Sequence, residues 1–276
     1  MLGLDLPLGL PRAYAAHLSE PDFPSFLLTL ASRPDFFRIC GDLTELSLGR
    51  PFYPARGVAG MTRAAHAASL GLSDAGALFR LCDRATPERP AGAPLFWTLG
   101  ANQSGGAAIS GWREWLVPAL EAGAPLALWP FHGSLLSLLA PGQIAIAETY
   151  PAEALRHLGI RLRGSKRRQV DRQATAGMLL GSVARLKAAP TPLLVSAIKD
   201  GFGSDPAGED KFDCVVGLLC VLNVIAGHRP DAAPPDPWIA RWEGWVLAQT
   251  SMPRSVAVVT WSRQLRMPAI GPGCRE

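Results

Sequence analysis

The sequence predicts an α/β protein with a mostly parallel sheet packed by many helices. Three observations carry that prediction. Three short apolar segments, each bounded by Gly or Pro, read as buried strands: "MLGLDL" (1–6), "APLALWPF" (124–131) and "QIAIAET" (143–149). Helical patterns fill most of the remaining chain. Strand and helix follow one another in the order that places strands parallel in one layer.

The helices follow in chain order. "FPSFLLTLASR" (23–33) and "MTRAAHAASLGL" (61–72) each present one apolar face, and "SDAGALFRLCDRA" (73–85) begins at a serine N-cap. "SGWREWLVPALEAG" (110–123) is helical with an interruption at Pro118. "PAEALRHLG" (151–159) has Pro at its first helical position and Gly as its stop. The stretch 165–189, "SKRRQVDRQATAGMLLGSVARLKAA", is expected to be the longest helix, polar first and apolar later. "EDKFDCVVGLLCVLNVIAG" (209–227) and "PWIARWEGWVLAQ" (237–249) complete the set. Residues 34–60 and 86–108 read as loops, and "SVAVVTW" (255–261) as an edge strand or a disordered end. No internal repeat or low-complexity block interrupts the pattern.

At 276 residues, with 48% hydrophobic and 18% charged side chains, the chain can bury a large core and is not wholly disordered. A formal charge of +4 permits contact with nucleic acid without demanding it. The five cysteines (Cys40, Cys82, Cys214, Cys220, Cys274) are odd in number and form no C-x-x-C, so neither a disulfide framework nor a zinc ribbon is expected. The N-terminus lacks the basic region of a secretory leader. The longest apolar stretch, 214–227, falls short of the ~20 residues that span a bilayer. A soluble cytoplasmic protein with no membrane and no disulfide partner is the expectation.

The Gly-rich "TLGANQSGGAAISGW" (98–112) has the composition of an anion loop but lacks G-K-[ST] and G-x-S-x-G, and a structural turn is the plainer reading. "GSKRRQVDR" (164–172) sets Lys166, Arg167, Arg168 and Arg172 at a helix start, where cations oppose the helix dipole. That arrangement points to an external phosphate, and a solvated charged face is the alternative. The five histidines form no H-x-x-x-H pair; His132 lies near a strand end. The acids are more informative. Asp5 and Glu148 end two apolar strands, and ligands of open α/β sheets gather at such ends. With Asp213 or Asp210 on a helix they form a set of carboxylates that raise one another's pKa, which Mg²⁺ or Mn²⁺ relieves. The plainer alternative is that each acid caps a turn or helix independently.

Taken together, "GLDLPLGLP", "LFWTLGANQSGGAAISGW", "AETYPAEA", "GSKRRQVDR", "EDKFDCVVGLL" and "EGWVLAQ" resemble a family called domain of unknown function 429, from residue 1 to about residue 250. The family is described as predicted nucleases with a ribonuclease H-like fold. The resemblance implies a single ribonuclease H-like α/β domain over 1–250, a helical insertion at about 20–120, and a tail over 251–276. It implies divalent-metal-dependent hydrolysis of phosphodiester bonds in nucleic acid. Asp5 matches the acid of the I-D-x-P-x-G-L block, Glu148 that of the E-x-Y-P block, and Asp213, with Asp210 beside it, that of the D-x-x-D-A block. These four would be the metal ligands, with Asp5, Glu148 and Asp213 catalytic. Lys166, Arg167 and Arg172 would contact phosphate.

Two departures bear on these expectations. Glu209 and Cys214 stand where the family has Asp and Ala. The chain also opens directly at the I-D-x-P block, whereas the family begins with an earlier strand carrying its own acid. Either the start given is too late or the protein is a shortened member; the first is favoured, because a sheet lacking its first strands leaves an edge exposed. A non-catalytic binding or regulatory protein on the same fold is the rival reading. A nucleotide-binding phosphotransferase using "GANQSGG" ranks last, since no second phosphate loop follows.

Overall fold

Residues 1–100 and 104–253 are described by a computed structural model. Three strands form its sheet, β1 (Leu2–Leu4), β2 (Leu126–Leu128) and β3 (Ile144–Glu148), all parallel and in the order β1–β3–β2. In register, Leu4 lies opposite Glu148 and Leu128 opposite Ile146. The period-two alternation of strand side chains sorts the sheet into two faces. Leu4, Leu126, Leu128 and Ile146 join a core built largely from residues 8–120. Ala127, Ala145 and Ala147 join a second core on the opposite side. The protein is therefore an α/β fold with a small parallel sheet between two helical layers.

The first layer holds α1 (Arg12–Ala15), α2 (Phe23–Thr29), α3 (Arg63–Ser69), α4 (Ser104–Gly111) and α5 (Val117–Glu121). Two of its short helices, α2 and α3, start at side-chain caps: Asp22 accepts from the Ser25 amide and Thr62 from the Ala65 amide. Edge-on aromatic pairs fill it, Phe26–Phe36, Phe36–Phe52 and Phe52–Phe96, with ring centroids 5.4, 5.5 and 5.4 Å apart. Each such pair adds about 0.5–1.5 kcal/mol beyond the area it buries. A π turn over Trp112–Leu116 joins α4 to α5, so Pro118 is absorbed at the start of α5 and does not interrupt the rod. Trp112 is buried and its indole N–H donates to the Pro7 carbonyl at 2.8 Å, tying this layer to the turn after β1.

The second layer holds α6 (Pro151–His157), α7 (Gln169–Gln173), α8 (Ala176–Arg185), α9 (Pro192–Asp200) and α10 (Ala207–Ile225). The small residues on this face of the sheet let α10 come close. A Cβ on Gly3 would lie 2.7 Å from Thr149 and 2.8 Å from Val221 of α10. Among the described residues no helix is long and apolar enough to cross a membrane. Cys40, Cys82, Cys214 and Cys220 are free thiols.

Several expectations need correction. The stretch 165–189 is two helices, α7 and α8, broken at Ala174–Thr175, where the Thr175 hydroxyl donates to the Arg172 carbonyl; α10 is longer. Residues 73–85 form two 3₁₀ turns, because Asp74 caps the first of them and the chain then extends through Phe79. Residues 237–249 make one π turn over Ile239–Glu243, which ends at Gly244 (φ +64°), and Val246 then bridges to Glu148 as extended backbone. The segment 190–200, for which no element was expected, is α9, entered through a Thr191 cap and Pro192. "SVAVVTW" lies outside the described residues.

Candidate functional site

The register that sets Leu4 opposite Glu148 brings Asp5, the next residue after β1, and Glu148, the last of β3, to the same carboxyl end of the sheet. A cleft of about 360 Å³ opens there, lined by Asp5, Arg80, Glu148, Tyr150, Lys166 and Ser104 among others. The turn after β1 is held in place by close backbone packing. Gly9 (φ +135°) lies against the Glu243 carbonyl, and Gly244 lies against that of Leu8; a Cβ on either would come within 2.1 Å of those oxygens. The Leu10 amide also donates to the Trp242 carbonyl at 2.7 Å.

Asp5 is open to solvent on the cleft side. Crowding of its carboxyl by the surrounding protein, then the nearby Asp213 and Glu148 carboxylates, push its pKa up to about 7 against the opposing charge of Lys166. The open side limits how far burial acts, and the upward direction rests on the two carboxylates as well. Among the described residues no hydrogen bond contributes to that balance.

Glu148 is different. It is 6% exposed and accepts from the Leu8 amide at 2.8 Å and from both terminal nitrogens of Arg80 at 2.6 and 2.7 Å. Burial pushes its carboxyl up, and the Arg80 guanidinium opposes that. Arg80, 1% exposed, also spans Asp83 at 2.8 and 2.9 Å. Burial disfavours the Arg80 charge, but the Asp83 and Glu148 carboxylates outweigh it and hold the cation. The two-pronged pair is best described as ionised, and it leaves Glu148 committed to Arg80 and to the backbone. Glu148, expected among the metal ligands, is thus paired with Arg80 in this structure.

Asp213 sits in the second turn of α10, where Lys166 Nζ lies 2.5 Å from its Oδ2 and 3.4 Å from Glu209. Its other oxygen, Oδ1, is buried with no hydrogen-bond partner among the described residues. Burial raises the Asp213 pKa, Lys166 opposes this, and Glu209 and Asp210 add to it. Burial works against the Lys166 charge, but its bond to Asp213 prevails and raises its pKa.

The remaining expected residues lie apart. Asp210 is exposed on the outer side of α10. Arg167 is exposed, 3.9 Å from Glu209. Arg172 is 1% exposed and donates to the carbonyls of Lys166, Gly201 and Gly203 at 2.5, 2.8 and 2.6 Å. Its guanidinium, expected to contact phosphate, braces the α7–α10 junction. His132 accepts from the Leu128 amide and serves the strand end.

Arg80, Asp83 and Tyr150 were not foreseen. Arg89 lies over the Tyr150 ring, 5.7 Å from its centroid. The one sequence signal for Arg80 was the i,i+3 spacing to Asp83 inside an otherwise apolar run.

No family model matches the chain, and neither a curated protein nor a solved structure matches it.

Among the described residues no group of three or more His, Cys, Asp or Glu side chains is arranged to hold a metal ion. The expected four-carboxylate set of Asp5, Glu148, Asp210 and Asp213 is therefore not assembled. Of its members, Asp5 makes no hydrogen bond with the described residues, and Asp213 keeps a buried oxygen without a partner among them.

Proposed function

We propose that this chain is a divalent-metal-dependent hydrolase of phosphodiester bonds in nucleic acid, built on a ribonuclease H-like framework. One observation carries the reading: Asp5 stands at the carboxyl end of a parallel sheet with no hydrogen bond from the described residues, its pKa raised to about 7 by crowding and by the neighbouring Asp213 and Glu148. Asp5 and Asp213 would hold Mg²⁺ or Mn²⁺, which when bound would activate water and steady the leaving oxygen. Asp213 presents its unpartnered Oδ1 for this, and Lys166 releases it to meet the phosphate. Arg167 and Arg168, both exposed beside Lys166, extend the positive edge along which a polyanion lies. Glu148 acts by fixing the Leu8 turn through its amide, and Arg80 holds Glu148 in place.

A second reading has its own observation. Each cleft acid except Asp5 already faces a cation, Glu148 with Arg80 and Asp213 with Lys166. A metal-free protein that binds an anionic ligand without cleaving it would keep those pairs. Titration calorimetry with Mn²⁺ separates the two. The hydrolase reading expects binding that Asp5→Asn and Asp213→Asn each weaken at least tenfold. Absence of binding, or binding indifferent to both variants, would leave the second reading standing.

A further inference from the structure

The outer side of α6 carries a second cleft, distinct from the one at the strand ends. Glu153 and His157, one helical turn apart, form its floor, and each side chain is 1% exposed. They lie 3.8 Å from one another, beyond hydrogen-bonding distance. Among the described residues, both carboxyl oxygens of Glu153 and both ring nitrogens of His157 are buried with no hydrogen-bond partner, although Glu153 has the Arg89 cation 3.4 Å away. Buried polar side chains are almost always hydrogen-bonded, and two neighbours without such a bond mark a place where a polar group is missing.

The walls indicate what kind of group. Arg156, Arg161 and Arg229 line the cleft together with Thr250 and with Glu88, which pairs with Arg156. Arg229 donates to the Thr250 hydroxyl at 2.7 Å and to the Ala248 carbonyl at 3.2 Å, so its guanidinium is oriented by the fold. Arg156 Nη1 is itself buried without a hydrogen bond, 3.8 Å from Glu153. Arg161 is exposed at the mouth. Burial and the charges of Arg229 and Arg156 hold His157 down to about 3, so its ring is neutral and offers one N–H donor. Burial raises the Glu153 carboxyl despite the arginines around it.

We propose that this cleft is a binding site for a phosphate group, either free or as a phosphomonoester of a small molecule. Arginines present paired donors that match phosphate oxygens, and inorganic hydrogen phosphate, or a phosphomonoester in its monoanionic form, also has an O–H to give to Glu153 while accepting from His157. A plain carboxylate has no proton to give at neutral pH. The cleft volume of about 460 Å³ accommodates a phosphate and a small attached group. The site shares α6 with the first cleft, whose wall includes Pro151, Ala152 and Leu155, yet it uses the other side of the helix. It does not depend on the hydrolase reading.

The test is titration calorimetry of the full chain with inorganic phosphate, glycerol phosphate and succinate. Arg161→Gln and Arg161→Gln/Arg229→Gln serve as variants; Lys166→Met removes the ammonium at the strand-end cleft. The expected result is phosphate or glycerol phosphate binding that falls at least tenfold in the double variant, is unchanged in Lys166→Met, and is not matched by succinate. Tighter binding of glycerol phosphate identifies a phosphomonoester as the ligand, and tighter inorganic phosphate the free ion. Equal affinity for succinate, loss in Lys166→Met alone, or no binding by wild type would overturn the proposal. Melting curves of each variant without ligand confirm that all are folded; Arg161 lies at the surface, so its replacement leaves the core intact.

Discussion

Asp5 carries a consequence for stability that is separable from catalysis. Its pKa in the folded protein, about 7, lies above the 3.8 of an ordinary aspartate. Between those values the folded state holds more proton than the unfolded one, so stability falls as pH rises from about 4 through 7. Asp5→Asn removes that decline. The variant should match wild type near pH 4 and exceed it at pH 8, by under about 1 kcal/mol because the carboxylate is open to solvent. Urea unfolding at the two pH values reads the difference, and a variant weaker than wild type at pH 8 would count against the crowding described here. Arg80 behaves oppositely. Arg80→Met leaves the Glu148 charge buried and unpaired, at a cost of about 3–5 kcal/mol. Arg80→Met/Glu148→Gln keeps an acceptor for the Leu8 amide without the charge. It should therefore lose less than the sum of the two single variants, as a double-mutant cycle will show.

At the scale of elements, the turn after β1 is held by contacts that tolerate glycine alone. Gly9→Ala places a Cβ against the Glu243 carbonyl at a φ of +135°. Because the obstacle is backbone, the chain must shift, and the loss should exceed about 3 kcal/mol by chemical denaturation. Loss under about 1 kcal/mol would mean that the 239–246 segment is not clamped on the turn. The elements that could be read in advance are those whose signal is local. The strand around 143–149 is a bounded apolar run, α6 has Pro151 in front and Gly159 behind, and α10 is a long buried stretch with an acidic first turn. The errors arose where distant partners decide. An amphipathic pattern through 73–85 conceals an arginine that must turn inward to Glu148, 68 residues away. The pattern through 165–189 conceals Arg172, whose guanidinium reaches carbonyls at Gly201 and Gly203 and pins the chain where the helix breaks.

For the whole molecule, the sheet's two faces explain why Asp213 and Glu148 come close enough to raise the Asp5 pKa. One face carries Leu and Ile and supports the layer that delivers Arg80; the other carries Gly and Ala and admits α10, which brings Asp213 with Lys166 attached. Residues 5, 148 and 213 could be singled out from the sequence because each sits at the end of an apolar segment. Their counter-ions could not, since ion pairing across layers leaves no periodic trace. Those counter-ions bear on the proposed site: Glu148 is paired with Arg80, so a cation would fall to Asp5 and Asp213 under the hydrolase proposal. The most direct test is cleavage of single- and double-stranded DNA, RNA and hybrids by the purified chain with Mg²⁺ or Mn²⁺. Metal-dependent cleavage lost by about 100-fold or more in Asp5→Asn and Asp213→Asn is the result expected for groups acting at the reacting centre. Cleavage of none of these substrates, or cleavage that persists in both variants, would contradict it.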